Sequence, residues 1–224
     1  MKPNNIILEC VTGSQMYNLA TPESDTDIKG IYVLPLRDMY STIGGWRKID
    51  KVYDHTDPDW AYYEVEKYMS LVMKGNPTAL ELLFANEYLL LTQEGKLLVD
   101  NRSAFLSKKI KNAYIGYALS QVRRKYRNAS NVMEYRAGKH VRHTWRLLKQ
   151  YEQLATTGTL NPRLTDEERK ECFAFMEKSY EEALNWFIEE KNRLEALPSV
   201  LPDEPDYDKI NSILLELREF TLQK

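Results

Sequence analysis

The chain has 224 residues, with 31 Lys and Arg against 33 Asp and Glu, a formal net charge of −2 and 43% hydrophobic residues. This balance excludes a disordered chain and fits one domain, or a small catalytic domain with an appended helical one. No apolar run approaches the roughly 20 residues of a membrane helix, the opening Met1-Lys2-Pro3-Asn4-Asn5 lacks the form of a signal peptide, and the spacing of the two cysteines, Cys10 and Cys172, suggests no metal site; a reducing, cytoplasmic setting is expected.

In chain order, residues 6–12 read as a buried strand ended by Gly13-Ser14, with a short helical turn through Met16–Leu19. Residues 28–34 read as a second strand closed by Pro35. Residues 40–58 are rich in Gly and Asp, with one strand possible near 49–54. The spacing of Val65, Tyr68, Met69 and Val72 predicts a helix from Tyr62 to Lys74, stopped by Gly75-Asn76-Pro77. A further helix is expected over 78–84.

Beyond that the chain reads as helical: 104–127, 139–156, a segment capped by Thr165-Asp166-Glu167-Glu168 and reaching about 194, and a last amphipathic helix over 207–222. The expected organisation is α+β, with a small α/β part over residues 1–92 and a helical part over 93–224.

The net charge conceals segregation. Residues 1–107 carry ten Lys and Arg against fifteen acids, residues 108–149 carry twelve against Glu134 alone, and residues 150–224 carry nine against seventeen. Gathering like charge is costly. Either a polyanionic partner such as RNA explains the central block, or the block neutralises its two acidic flanks within the fold. Within it, Lys139, Arg142 or His143, Arg146 and Lys149 recur every three or four residues, opposite Val141, Trp145 and Leu148. That stripe suits a triphosphate or a nucleic-acid backbone; a solvated face is the plainer alternative.

The chemistry-bearing pattern is Gly13-Ser14, ten residues, then Asp25-Thr26-Asp27. Glycine lets the backbone approach phosphates, and the Ser14 hydroxyl and following N–H groups can donate to them. Asp25 and Asp27, two apart on an extended strand, would share one side and hold divalent cations against the triphosphate. Either half alone is common in turns and loops; the combination between two strands is specific.

The segment from Thr12 through Asp25-Thr26-Asp27-Ile28-Lys29-Gly30 to Val33 resembles the DNA polymerase β-like nucleotidyltransferase superfamily, and within it the bacterial and phage branch associated with RNA repair. Tyr63–Tyr68, Lys74–Leu83, Gly116-Tyr117 with Gln121, and Gly138–Leu148 extend the resemblance nearly end to end. Gln15 departs from it, since a basic residue is commoner there.

The resemblance implies a small catalytic domain with a mixed sheet, followed by a C-terminal helical bundle. It implies transfer of a nucleoside monophosphate from an NTP to an acceptor hydroxyl, with two Mg²⁺ or Mn²⁺ ions held by Asp25, Asp27 and a third carboxylate. Asp59 is the favoured third carboxylate and Glu64 the second candidate. Gly13, Ser14, Lys139, His143 and Arg146 become candidate nucleotide-binding residues. The implied acceptor is RNA, a tRNA end or damaged RNA. Nucleotidylation of a protein or small molecule, and a non-catalytic nucleotide- or RNA-binding module, are the competing readings.

Overall fold

The computed structural model describes residues 2–35, 39, 53–54, 60–128 and 134–220, with side chains for all of these except 53–54, 124–128 and 134–139. A five-stranded mixed sheet forms one part. Strands β1 (Ile6–Thr12), β2 (Asp27–Tyr32), β3 (Tyr53–Asp54), β4 (Trp60–Glu64) and β5 (Leu90–Leu91) lie in the order β3-β4-β2-β1-β5. Strand β1 is antiparallel to β2 and to β5, β2 is parallel to β4, and β3 is antiparallel to β4. The short helix α1 (Gly13–Met16) follows β1 directly.

Strand β4 occupies sequence where the spacing predicts the start of a helix. Trp60-Ala61-Tyr62-Tyr63 is rich in residues that suit a pleated surface, and Tyr62 packs against Tyr32 and Leu34. The helix α2 (Val65–Met73) begins only after Glu64, whose side chain accepts from the Glu66 N–H as the cap. Asn76 then caps α3 (Pro77–Leu80), with Pro77 in the first turn, where its missing N–H costs nothing. A 3-10 turn (Glu81–Phe84) completes the segment expected as a single helix over 78–84.

Helix α4 (Gln93–Asp100) lies so close to β1 that a Cβ at Gly95 would sit 2.1 Å from the Ile7 carbonyl oxygen. A 3-10 turn (Arg102–Phe105) precedes α5 (Ile110–Asn128), so the helix expected from 104 begins six residues later. Helix α6 (Glu134–Thr157) pairs with α5 and meets α7 (Asp166–Met176) and α8 (Tyr180–Glu195). The single helix expected from 165 to 194 is two. Ser179 forms a second capping box with Glu182, which restarts the chain after Thr165 and Glu168 have capped α7. The last helix, α9 (Tyr207–Phe220), returns to the sheet, where Arg218 bonds the Leu34 carbonyl.

One hydrophobic core runs from Ile7, Leu8 and Ile31 of the sheet through Tyr114 and Leu147 of α5 and α6 to Leu217 of α9. Among the described residues no helix is long and apolar enough to cross a membrane.

Candidate active site at the end of the first two strands

Thr12 and Asp27 are register partners at the end of the β1–β2 pair where the chain crosses from one strand to the other. The chain leaves β1 at Gly13 with φ +66°, a conformation that residues with a Cβ adopt at a cost. The space beside it is filled as well: a Cβ on Gly13 would lie 2.1 Å from Asp27 Oδ2. Glycine is therefore required twice, once by the turn and once by the carboxylate seated against it. The Thr12 hydroxyl donates to the Asp27 carbonyl at 3.4 Å and does not cap α1.

Asp27 opens β2 and is partly exposed, whereas Asp25 lies in the preceding loop and is exposed. The two aspartates are thus not a pair on one strand face, because extended pairing begins only at Asp27. The loop is held by Ser24, whose Oγ accepts from the Thr21 N–H at 2.9 Å, and by Gln15, whose amide donates to Thr26 Oγ1 at 2.7 Å. Gln15, where the resemblance expects a basic residue, ties α1 to the aspartate loop.

The helical part grips the turn from behind. Leu164 N–H donates to Tyr17 O, Arg169 donates to Asn18 O at 2.8 Å, and Arg142 donates to Leu19 O at 3.3 Å. Below lies a buried polar network. Tyr17 OH donates to Glu81 Oε2 at 2.5 Å, Arg146 forms an ion pair with Glu81 and bonds Gln150 at 2.7 Å, and the Arg146 guanidinium stacks 3.7 Å from the Tyr17 ring centre. Burial alone would lower the Arg146 guanidinium, yet Glu81 and Tyr17 hold it above its ordinary range.

Arg146 is 3% exposed. Of the cationic stripe expected along this helix, Arg142 and Arg146 are buried, while Lys149 is partly exposed. Arg142, Thr144, Arg146 and Gln150 are all buried, because α6 is packed on several sides. Arg146 touches the turn through Tyr17. His143 is partly buried on the same helix, and His140 bonds Gln121 of α5 at 2.8 Å. The side chain of Lys139 lies outside the described residues, as does Asp59.

Glu64 sits at the far end of the sheet. The parallel register sets Ile28 beside Trp60 and Tyr32 beside Glu64. Five residues of strand, roughly 16 Å, therefore separate its position from Asp27. Its carboxylate caps α2 and bonds Arg218 at 2.5 Å. As a candidate third carboxylate Glu64 is corrected by this placement: it is a structural cap and ion-pair partner.

Sequence reasoning passed over Lys29 and Glu81. Lys29 follows Asp27 by two residues on β2, and its neighbour across β1 is Cys10. Burial lowers the pKa of its ammonium, while Glu81 and Asp27 pull it back up and Arg146 opposes them, so these charges lie within one electrostatic neighbourhood. A lysine two residues past the aspartate, on the same strand parity, was the available signal.

Among the described residues no group of three His, Cys, Asp or Glu side chains could hold a metal ion. The described donors, Asp25 and Asp27, are hard carboxylate oxygens of the kind that Mg²⁺ prefers, and the absent Cβ at Gly13 leaves the Asp27 carboxylate its place beside the turn.

A strand, a glycine turn, a short helix and an aspartate at the head of the neighbouring strand, on a mixed sheet backed by helices, define a polymerase-β-like nucleotidyltransferase fold. The chain belongs to the RNA repair pathway DNA polymerase beta family, whose model matches residues 1–216. It is 31% identical over 127 residues to an uncharacterized 38.9 kDa protein from the nrdC-mobD intergenic region of enterobacteria phage T4. That match covers 51% of this chain and 37% of the phage protein, so the chain spans little more than a third of its relative. No solved structure is significantly similar to it.

Proposed function

We propose that the chain transfers a nucleoside monophosphate from an NTP to an acceptor hydroxyl, with RNA as the acceptor. The observation that carries this is the Asp27 carboxylate seated against the Gly13 turn. It brings a candidate metal ligand to the backbone that would cradle a triphosphate. Family membership supports the polymerase-β-like chemistry and the RNA-repair setting.

In this reading Asp25, Asp27 and Asp59 hold two Mg²⁺ or Mn²⁺ ions, and Asp59 precedes the β4 residue Trp60 that pairs with Ile28. The bound ions would neutralise the triphosphate and lower the pKa of the acceptor hydroxyl. The acceptor oxygen bonds the α-phosphorus, the bond to the bridging oxygen breaks, and pyrophosphate leaves. The acceptor proton passes to a carboxylate, for which Asp59 is the candidate. Gly13 and Ser14 supply backbone and hydroxyl donors to the phosphates. Lys139 and His143 remain candidates for the nucleotide side; Arg146 acts from below, through Tyr17.

A second reading, nucleotidylation of a protein or small molecule, is favoured by one observation. Several cations of the basic block already have acidic partners within the chain: Arg146 pairs with Glu81 in the interior, and Lys108 with Asp203 at 2.7 Å, Lys109 with Glu204 and Lys149 with Glu152 at the surface. The test is incubation with each α-labelled NTP, Mg²⁺ or Mn²⁺, and a mixture of tRNA and short RNAs. Label entering RNA in the wild type and absent with Asp25→Ala/Asp27→Ala establishes the first reading. Label entering protein establishes the second. Triphosphate binding without transfer of label leaves a binding module.

A further inference from the structure

Lys29 and Asp27 are two residues apart on β2, so both side chains leave the same face of the sheet. Around Lys29 that face is mostly closed. Its partner Cys10 and its strand neighbour Ile31 are completely buried, and Glu81 and Arg146 are 2% and 3% exposed. Partly open positions there include Asp27 and Ala61, the latter being the register partner of Lys29 on β4. Ala61 carries only a methyl, and Lys29 itself is partly exposed on the face that it shares with Asp27.

Among the described residues no hydrogen bond or ion pair engages the Lys29 ammonium, although it is partly buried. A partly buried ammonium with no acceptor of its own is free to donate to an arriving ligand. Its acidic neighbours have other duties: Glu81 is held by Arg146 and Tyr17, and Asp27 sits against the Gly13 turn. An anion arriving at that turn would supply the missing acceptors. Two aspartates repel a bare anion, so the fitting ligand is a polyphosphate complexed with a divalent cation. A lysine, a compact charge with three donors, suits phosphate oxygens that need no planar fork.

We propose that Lys29 is a binding residue for the polyphosphate tail of the substrate, donating to non-bridging oxygens beside the Gly13-Ser14 turn. This rests on the nucleotidyl-transfer reading. The test is calorimetric titration of the whole chain with inorganic tripolyphosphate and Mg²⁺, using wild type, Lys29→Met, Lys29→Arg and Asp27→Asn, with a thermal melt of each free protein. Lys29→Met is expected to weaken tripolyphosphate about tenfold or more, as loss of a charge-assisted contact does. Lys29→Arg should retain most of the affinity, and the melt of Lys29→Met should match or exceed that of the wild type. Wild-type affinity in Lys29→Met, with Asp27→Asn impaired, overturns the role of Lys29 and leaves the nucleotidyl-transfer reading standing. A lowered melt in Lys29→Met, with affinity not restored by Arg, overturns it in favour of a structural role. No binding by the wild type overturns both.

Discussion

The Asp27 carboxylate occupies the space into which a side chain at Gly13 would project: a Cβ there would meet Oδ2 at 2.1 Å. Residues fourteen apart in sequence are thereby made interdependent. The glycine turn can close only if nothing but hydrogen is present, and the carboxylate can sit against it only for the same reason.

Gly13→Ala therefore displaces Asp27 and forces an unfavourable φ, a backbone cost of about 1–2 kcal/mol. The expected outcome is a folded protein with a slightly lowered melt and little or no label transfer. Circular dichroism and the α-labelled NTP assay check it; full activity would show that the Gly13–Asp27 contact is dispensable.

Glu64 and Arg218 form a largely closed ion pair, with side chains 11% and 8% exposed, and Glu64 also caps α2. Glu64→Ala leaves Arg218 without its main partner and should cost about 3 kcal/mol in urea unfolding. Turnover per folded molecule should be unchanged. Loss of turnover with stability intact would return Glu64 to the reacting centre.

Arg146 and Glu81 are buried together beneath the turn. Arg146→Met strands the Glu81 carboxylate and should destabilise by about 3–5 kcal/mol. Arg146→Met combined with Glu81→Leu should recover part of that loss, because neither change then leaves the other's charge buried without its partner. Additive losses in the double variant would contradict the pairing.

Cys10 and Cys172 are free and buried, and burial pushes both thiols up to about 12. At pH 8 the thiolate fraction is then on the order of one in 10⁴, so the native protein should be silent to a thiol-specific chromogenic disulfide. Two equivalents should react in denaturant. Rapid reaction of either thiol in the native state would show that its site opens readily.

The α+β class, with helices following the sheet, was legible because apolar periodicity and capping residues act locally, as Thr165 and Glu168 do. The break at Ser179 was missed because the helical pattern runs through it, even though Ser179 and Glu182 carry the same capping signature. Strand β4 was missed because Tyr62 and Val65 also fit a helical repeat, and only pairing with β2 selects the extended form.

The sequence by itself determined the chemistry-bearing pattern, Gly13-Ser14 followed by Asp25 and Asp27, since residue type and spacing along neighbouring strands limit what such a turn can hold. Tertiary structure decided which charges serve it. Arg146 reads as a surface cation until Glu81, sixty-five residues earlier, is packed against it; Glu64 reads as a candidate ligand until the register carries it to the far end of the sheet. Lys29 reads as ordinary strand sequence until its neighbours close around it. The physical reason is that a side chain's charge is written in the sequence, but its partners and its access to water are properties of the packed chain.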